Sequence, residues 1–396
     1  MADAGGAIAA AEGRVVAIYR TQILPLSETF VRDQALALRR WKPVLVGERQ
    51  IDALPLSGLP VSAHYQGAPT LPQRLMGMAW RKLDRPPPAV AHLVDKVRPE
   101  LIHAHFGFDG VEAWPIAQRL GVPLLVTLHG SDITTRMEWF RAGKAGRRWV
   151  RYPERLARLA REEQVHFVAV SENIRQAALE AGLPDSKISV RMIGIDTARF
   201  VHGGKPVSER KRSILFLGRL VEKKGCGYLI DAFKQVRAEL PDAELVVAGD
   251  GPDRVALEAR AAGVAGIRFV GAVSRPRVMS LLQEARVFCL PSVTAESGDA
   301  EGLPLVLLEA QASGVPVVTS ARGGASEGII DGVTGFAFPE RDVATLVDRL
   351  LRILRDDALA GRLAAAAVSF VAERHDLLTQ TADLERLYDR VASVRA

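Results

Sequence analysis

Glu301 and Glu309 stand eight residues apart in the run EGLPLVLLE, with a proline between them suited to starting a helix. If Pro304 is near the first helical position, Glu301 lies in the loop before the helix and Glu309 about a turn and a half inside it. Gly302 and Leu303 complete that loop. The amides of Leu305 and Val306 are then unpaired and point outward, as needed to hold a phosphate oxygen. Two carboxylates able to accept hydrogen bonds from vicinal hydroxyls, flanking amides able to hold a phosphate, describe a site for a sugar nucleotide. The competing reading makes Glu301 a favourable first-turn anion and Glu309 a surface residue. Leu307, Leu308 and Ala310 weigh against it, because they indicate a mostly buried helix.

A second cluster follows the apolar run ILFL, where Gly218-Arg219 precede Lys223, Lys224 and Gly225 and a helix is expected from near Tyr228. Cations and free amides thus converge on one helix start. Phosphate is favoured there by the macrodipole, and Arg219 and Lys224 could add charge-assisted hydrogen bonds. A solvated turn with a capping glycine would look the same. The run ELVVAG ends in Gly249-Asp250-Gly251-Pro252, which lets the backbone turn tightly or approach a ligand. A tight turn alone also uses these residues, and the dinucleotide fingerprint GxGxxG is missing. In the first half, PLLVTL ends in His129-Gly130, while His103 and His105 share one face within LIHAHF. His129 is better placed for a ligand; the other two could simply pack. No DxD pair occurs, so a metal clamp has no evident ligands.

These residues fall at the ends of short apolar runs that alternate with helix-period segments, the pattern of βαβ units in parallel sheets covered on both faces. Strands are expected over 14–19, 43–46, 101–105, 123–128 and 166–170, then over 214–217, 244–248, 267–270, 287–290 and 316–319. Two doubly wound domains bind ligands at the carboxyl ends of their strands, so facing edges make a cleft. The stretch 196–213 mixes glycine, proline and charge without periodicity and reads as a linker. The expected units are residues 1–196, residues 197–375, and a C-terminal helix over 376–396 with no strand of its own, for which the first domain is a candidate surface. Two helical segments are expected after Asp342.

The 396 residues are 48 % hydrophobic and 25 % charged, which excludes a disordered, collagen-like or disulfide-built chain. No apolar run suffices to span a membrane, and the start MADAGGAIAAAEG lacks the basic region and unbroken apolar core of a secretory signal. A cytoplasmic protein is expected, with Cys226 and Cys289 as ordinary reduced thiols. The net charge of +6 is too mild for a nucleic-acid binder. Yet nine basic residues between Arg136 and Arg161 face only Glu138 and Glu154, with Trp139, Phe140, Trp149 and Tyr152 interleaved. Such a segment could rest on anionic lipid at the inner face of the plasma membrane, or be a solvated helix with core aromatics.

Together, FLGRLVEKKG, VVAGDGP, EGLPLVLLE and ASGVPVVTSARGGASEGIIDGVTGF resemble glycosyltransferase family 4, and LSETFV, HAHFG and TLHGSDIT are similar to exopolysaccharide enzymes of the colanic acid and amylovoran type. The resemblance implies an α/β GT-B fold: two facing Rossmann-like domains and a C-terminal helix returning to the first. It implies that Arg219 and Lys224 bind the donor's diphosphate, Glu301 its sugar and Glu309 its ribose. His129 would lie near the transferred sugar, and the base would meet backbone around Val270 and Gly271. Pro25-Leu-Ser-Glu-Thr-Phe30 replaces the glycine-rich loop many members carry after the first strand, and Ile193 replaces a frequent Asn.

The expected activity is retaining transfer of a hexose from a nucleotide diphosphosugar, UDP-linked, to a saccharide acceptor, carried on a polyprenyl diphosphate, with no metal or other cofactor. The resemblance implies front-face attack, the leaving phosphate taking the acceptor's proton. A nucleotide-sugar epimerase of the same fold and a non-catalytic sugar binder are the alternatives. The first would need no acceptor, and the second has no use for Arg219 beside Lys224.

Overall fold

The computed structural model describes residues 13–25, 28–51, 54–82, 87–200, 205–320 and 322–393. Most of the N-terminal stretch, Leu26 and Ser27 of the PLSETF loop, and both linker glycines, Gly203 and Gly204, lie outside them.

Among the described residues thirteen strands form two sheets, and every pairing between them is parallel. The first sheet contains β1 (Arg14–Ile23), β2 (Trp41–Gln50), β3 (Val61–Gln66), β4 (Leu101–His105), β5 (Leu124–Leu128), β6 (Val165–Ala169) and β7 (Ile188–Val190), in spatial order β3-β2-β1-β4-β5-β6-β7. Its helices are α1 (Thr29–Ala37), α2 (Leu71–Lys82), α3 (Pro88–Val97), α4 (Gly107–Leu120), α5 (Met137–Arg141), α6 (Tyr152–Leu159) and α7 (Glu172–Glu180). The second sheet contains β8 (Ser213–Leu217), β9 (Glu244–Ala248), β10 (Ile267–Gly271), β11 (Val287–Leu290), β12 (Val317–Ser320) and β13 (Gly335–Phe338), ordered β10-β9-β8-β11-β12-β13. With it pack α8 (Cys226–Glu239), α9 (Arg254–Ala261), α10 (Arg275–Glu284), α11 (Leu305–Ala312), α12 (Val343–Arg355) and α13 (Asp357–Arg374), and α14 (Leu377–Ser393) follows them.

This is the expected doubly wound α/β arrangement. β4 and β5 are buried along their whole length, so their sequences are continuous apolar runs broken only by His103, His105 and Thr127. Each sheet reverses its strand order once, between β1 and β4 and between β8 and β11, and there the loops diverge to leave a crevice.

Local chemistry sets the helix ends that matter for the site. Ser171 caps α7 by accepting from the Ile174 amide at 3.2 Å. The two helical segments expected after Asp342 are three, because Asp356 ends α12 and its carboxylate accepts from the Leu359 amide at 2.8 Å, capping a new helix. α8 begins at Cys226, two residues before the expected Tyr228. Both cysteines are free and buried.

The last helix crosses to the first domain. Glu385 of α14 accepts from the amides of Arg39, Arg40 and Trp41 at 2.9, 2.6 and 3.0 Å, and Tyr388 Oη shares a 2.6 Å hydrogen bond with His103 Nδ1. Leu384, Leu387 and Tyr388 complete the apolar layer under β1 and β2. Among the described residues no helix is long and apolar enough to cross a membrane.

Candidate active site

Glu301 lies in the loop that links β11 to α11, and Lys224 in the turn between β8 and α8, so both sit at the second sheet's crevice. Lys224 Nζ is 2.8 Å from Glu301 Oε1, with side chains only 16 % and 8 % exposed. Ser292, just after β11, donates to the same oxygen at 3.3 Å. Lys223 pairs alongside with Asp299 at 3.0 Å. Burial pushes the Glu301 carboxyl up, but Lys224 and Lys223 outweigh it and hold the group below the usual glutamate range. The carboxylate is therefore charged at neutral pH, ready to accept hydroxyl protons.

The turn that carries Lys224 depends on glycine. Gly225 has φ +67°, and a Cβ there would lie 1.8 Å from the Pro291 carbonyl oxygen. The backbone after β9 is similarly tight: Gly249, at φ +131°, leaves no room for a Cβ beside the Gly218 oxygen, and its amide donates to the Gly271 carbonyl at 2.7 Å. Gly218, Gly249, Val270 and Gly271 thus line one edge at the carboxyl ends of β8, β9 and β10.

Pro304 is the cap residue of α11 rather than its first helical residue, and Leu305 and Val306 open the first turn as expected. Glu309, the fifth residue, turns toward α10: its Oε1 lies 3.7 Å from Arg275, which also pairs with Asp33 of the first domain at 3.1 Å. Burial raises the Glu309 carboxyl to about 7, and Arg275 only partly offsets this. Arg219 is exposed and forms no ion pair among the described residues. Lys224 and Glu301 therefore meet directly, whereas Arg219 is exposed and Glu309 is held by Arg275, a partner that sequence reasoning missed.

The first domain closes the site. Gly302 packs against the backbone of His129, and a Cβ on Gly302 would be 1.8 Å from the His129 oxygen. Ser171 donates to the Gly302 carbonyl at 2.8 Å, and Glu327 accepts from the Glu172 and Asn173 amides at 2.8 Å each. Thr134 and Arg136 join the 297–300 loop through the Ala300 amide at 3.2 Å and the Ser297 oxygen at 3.0 Å. Gly302 and His129 were expected at the site, but Ser171, Glu327, Thr134 and Arg136 were not legible as site residues; Ser171, a cap just after a strand, carries the one usable signal.

Asp132 holds the His129 loop, accepting from the Gly107, His129 and Gly130 amides at 2.7, 3.1 and 2.8 Å. His129 Nε2 and His105 Nδ1 share a hydrogen bond at 3.1 Å, and the His129 ring packs on Phe30 and Phe106. Burial, reinforced by nearby Arg20 and His103, depresses the His129 ring well below the usual histidine range, so it is neutral near pH 7. His103 is turned away, bonded to Tyr388 and Thr127, and serves the core. In the basic segment Phe140 and Tyr152 are core residues, while Lys144 and Arg148 lie over the rings of Trp139 and Trp149 at 4.4 and 4.5 Å.

The arrangement is a crevice in one domain that holds the paired Lys224 and Glu301, closed by a neutral imidazole from the other. Two family models match the chain in tandem, Glycosyltransferase Family 4 over residues 27–199 and Glycosyl transferases group 1 over residues 199–369. The glycogen synthase of Mycobacterium tuberculosis is 32 % identical over 274 residues, 68 % of this chain and 64 % of that protein. The amylovoran biosynthesis glycosyltransferase AmsK of Erwinia amylovora is 30 % identical over 264 residues, 65 % of this chain and 62 % of that one. The matches thus span under two thirds of the length of these relatives. Anabaena Alr3699/HepE, solved in complex with UDP and glucose, shares the fold with a TM-score of 0.76 at 18 % identity, covering 95 % of this chain and 100 % of that one. The tandem matches establish that the chain belongs to the family 4, group 1 glycosyltransferases.

Proposed function

We propose that the protein transfers a hexose, with retention, from a UDP-linked sugar to a hydroxyl of a lipid-linked saccharide, without a metal ion, during synthesis of an exopolysaccharide at the inner face of the plasma membrane. The reading is carried by the Lys224–Glu301 pair beside the first turn of α11. On donor binding, Lys224 turns to a diphosphate oxygen and Glu301 to the sugar hydroxyls, so each charge exchanges one partner for another. Arg219, exposed at the rim, closes on the diphosphate. The Leu305 and Val306 amides add donors where charge builds on the leaving group, a preorganised electrostatic contribution. Glu309 accepts from the ribose, and backbone around Val270 and Gly271 meets the base. Neutral His129 contacts the sugar without adding a positive charge to an oxocarbenium-like transition state. Bound UDP and UDP-glucose in the Anabaena structures, and the amylovoran relative, support the donor and the pathway class.

Calorimetry with UDP, followed by NMR of the product's anomeric linkage, tests this. Micromolar uptake of UDP and retained configuration are expected. No uptake of UDP rejects the donor, and an inverted linkage rejects the mechanism.

A further inference from the structure

Transfer to an acceptor requires a second site beside His129, and the inference here rests on that reading. The first domain holds a cavity of about 610 Å³ at the crevice between β1 and β4. Phe106 forms part of its lining, and the Phe106 ring lies 4.5 Å from that of His129. Phe106 adopts φ +71°, an uncommon conformation for a non-glycine residue, at the point where β4 gives way to α4.

The cavity's cations are of two kinds. Arg20 is buried and committed to Glu28 and Asp109. Arg49 and Arg74 form no ion pair among the described residues, and Arg49 Nε is buried without a hydrogen-bond partner. Arg148 is held only loosely, 3.5 Å from Glu112 and over the Trp149 ring. Besides the two carboxylates that neutralise Arg20, the lining has only Glu48. Three guanidiniums against one carboxylate leave an excess of positive charge suited to a phosphate or diphosphate.

One wall of the cavity is α2, which contributes Gln73, Arg74 and Met78. Gly77 is buried. At about 3.6 residues per turn the face away from Gln73 and Gly77 carries Leu71, Leu75, Met78 and Ala79, with Pro72 at its edge and Met76 beside it. All six are exposed, Leu71 at 69 %, Leu75 at 54 %, Met76 at 52 % and Met78 at 51 %. A surface helix ordinarily turns its apolar side to the core and its polar side to water. Here Gln73 and Arg74 meet the cavity, Met78 stands at its rim, and the rest of the apolar side faces outward.

We infer that the outward face of α2 seats on a lipid surface and that the cavity behind it takes the phosphate of an amphiphilic acceptor held in that surface, an apolar chain ending in a diphosphate and saccharide. A free phosphosugar would use the arginines but leave the exposed leucine and methionines without purpose. A neutral glycolipid would do the reverse. The basic segment contributes to the same place, because Arg148 and Trp149 share the lining with α2.

Co-sedimentation of the full chain with three vesicle preparations tests this: phosphatidylcholine alone, phosphatidylcholine with phosphatidylglycerol, and phosphatidylcholine with undecaprenyl diphosphate at matched surface charge. Binding strongest to the third is expected. Arg49→Ala and Arg74→Ala should each weaken that binding at least about fivefold and abolish its excess over the second preparation. Leu75→Glu with Met76→Glu should lower binding to all charged vesicles about tenfold or more. UDP affinity, measured by calorimetry on the same proteins, should not change. Equal binding to the second and third preparations, absence of vesicle binding, or insensitivity to the α2 substitutions overturns the inference while UDP uptake stands. Absence of UDP uptake alone overturns the donor reading instead.

Discussion

Lys224 Nζ and Glu301 Oε1 lie 2.8 Å apart and almost wholly out of solvent, so each charge is satisfied by the other in the unliganded protein. Removing one partner strands the other. Lys224→Met should cost about 3 kcal/mol, the lower end for a broken buried pair because Lys223 stands alongside. Adding Glu301→Gln should restore most of it, since no buried charge is then left over. Chemical denaturation of the two single variants and the double variant checks this cycle. On the proposed donor contacts, the double variant should nevertheless turn over at least about a hundredfold more slowly.

Glu309 gives stability a pH dependence of definite sign. Burial raises its carboxyl to about 7 in the folded protein, above the usual glutamate value of 4.5. The folded state then binds the proton more tightly than the unfolded chain. Its contribution is complete below the unfolded pKa and is lost as pH rises through about 7. Glu309→Gln should therefore gain on the parent as pH increases, by up to about 3 kcal/mol at pH 8. Melting temperatures of both proteins from pH 5 to 8 report the difference; parallel curves would show Arg275 keeping Glu309 ionised.

The histidines act in the opposite sense. His103 is lowered to about 3 by burial, and His105 and His129 are held well below the usual histidine value for the same reason. A ring kept neutral in the fold but protonated in the unfolded chain stabilises above the unfolded pKa of 6.5, and that stability disappears as pH falls. The acid limb of a stability profile should begin just below pH 6.5 and be shallower in His103→Gln, measured relative to that variant's own value at pH 7.

Strands at sheet centres were legible because burial on both faces leaves a continuous apolar run, as in Leu124–Leu128. The strands that sequence reasoning did not anticipate, β3, β7 and β13, are all edge strands. Val61–Gln66 is half-buried with no clear alternation, and Ile188–Val190 is only three residues long, so neither leaves a periodic trace. At the site, Glu301 and Lys224 stood out because a loop carboxylate and a loop lysine fall just after strands. Arg275 gave no such sign: its partners, Asp33 and Glu309, come from distant parts of the chain and meet only when the domains face each other. The apolar side of α2 was hidden for another reason, since periodicity reveals an apolar stripe but not whether it points to the core.

Gly302 makes domain closure testable. A Cβ there would be 1.8 Å from the His129 oxygen, a backbone atom that cannot rotate away. Gly302→Ala should hold the domains apart while both sheets stay folded, because the clash lies between cores rather than within one. A loss of closure by even about 1 Å is enough for a hundredfold lower kcat. Small-angle scattering should show a larger radius of gyration with an unchanged circular dichroism spectrum.

Glu385 ties the end of the chain to the first domain through one oxygen, Oε1, which accepts from three successive amides at 2.9, 2.6 and 3.0 Å. The side chain is buried, so water cannot fully replace the carboxylate. Glu385→Ala leaves the amides of Arg39, Arg40 and Trp41 without their acceptor, and hydrogen bonds to a charged group are worth about 1.5–3 kcal/mol each. Because the three share one oxygen, the loss should be well below their sum, about 3 kcal/mol. α14 reaches the first domain from α13, which packs on α11, so loosening it also loosens the tie between the two domains. Hydrogen exchange should therefore accelerate first at Arg39–Trp41 and in α14, ahead of β4 and β5. If those amides remain as protected as in the parent, α14 is held by Leu384, Leu387 and Tyr388 alone, and the carboxylate is not its anchor.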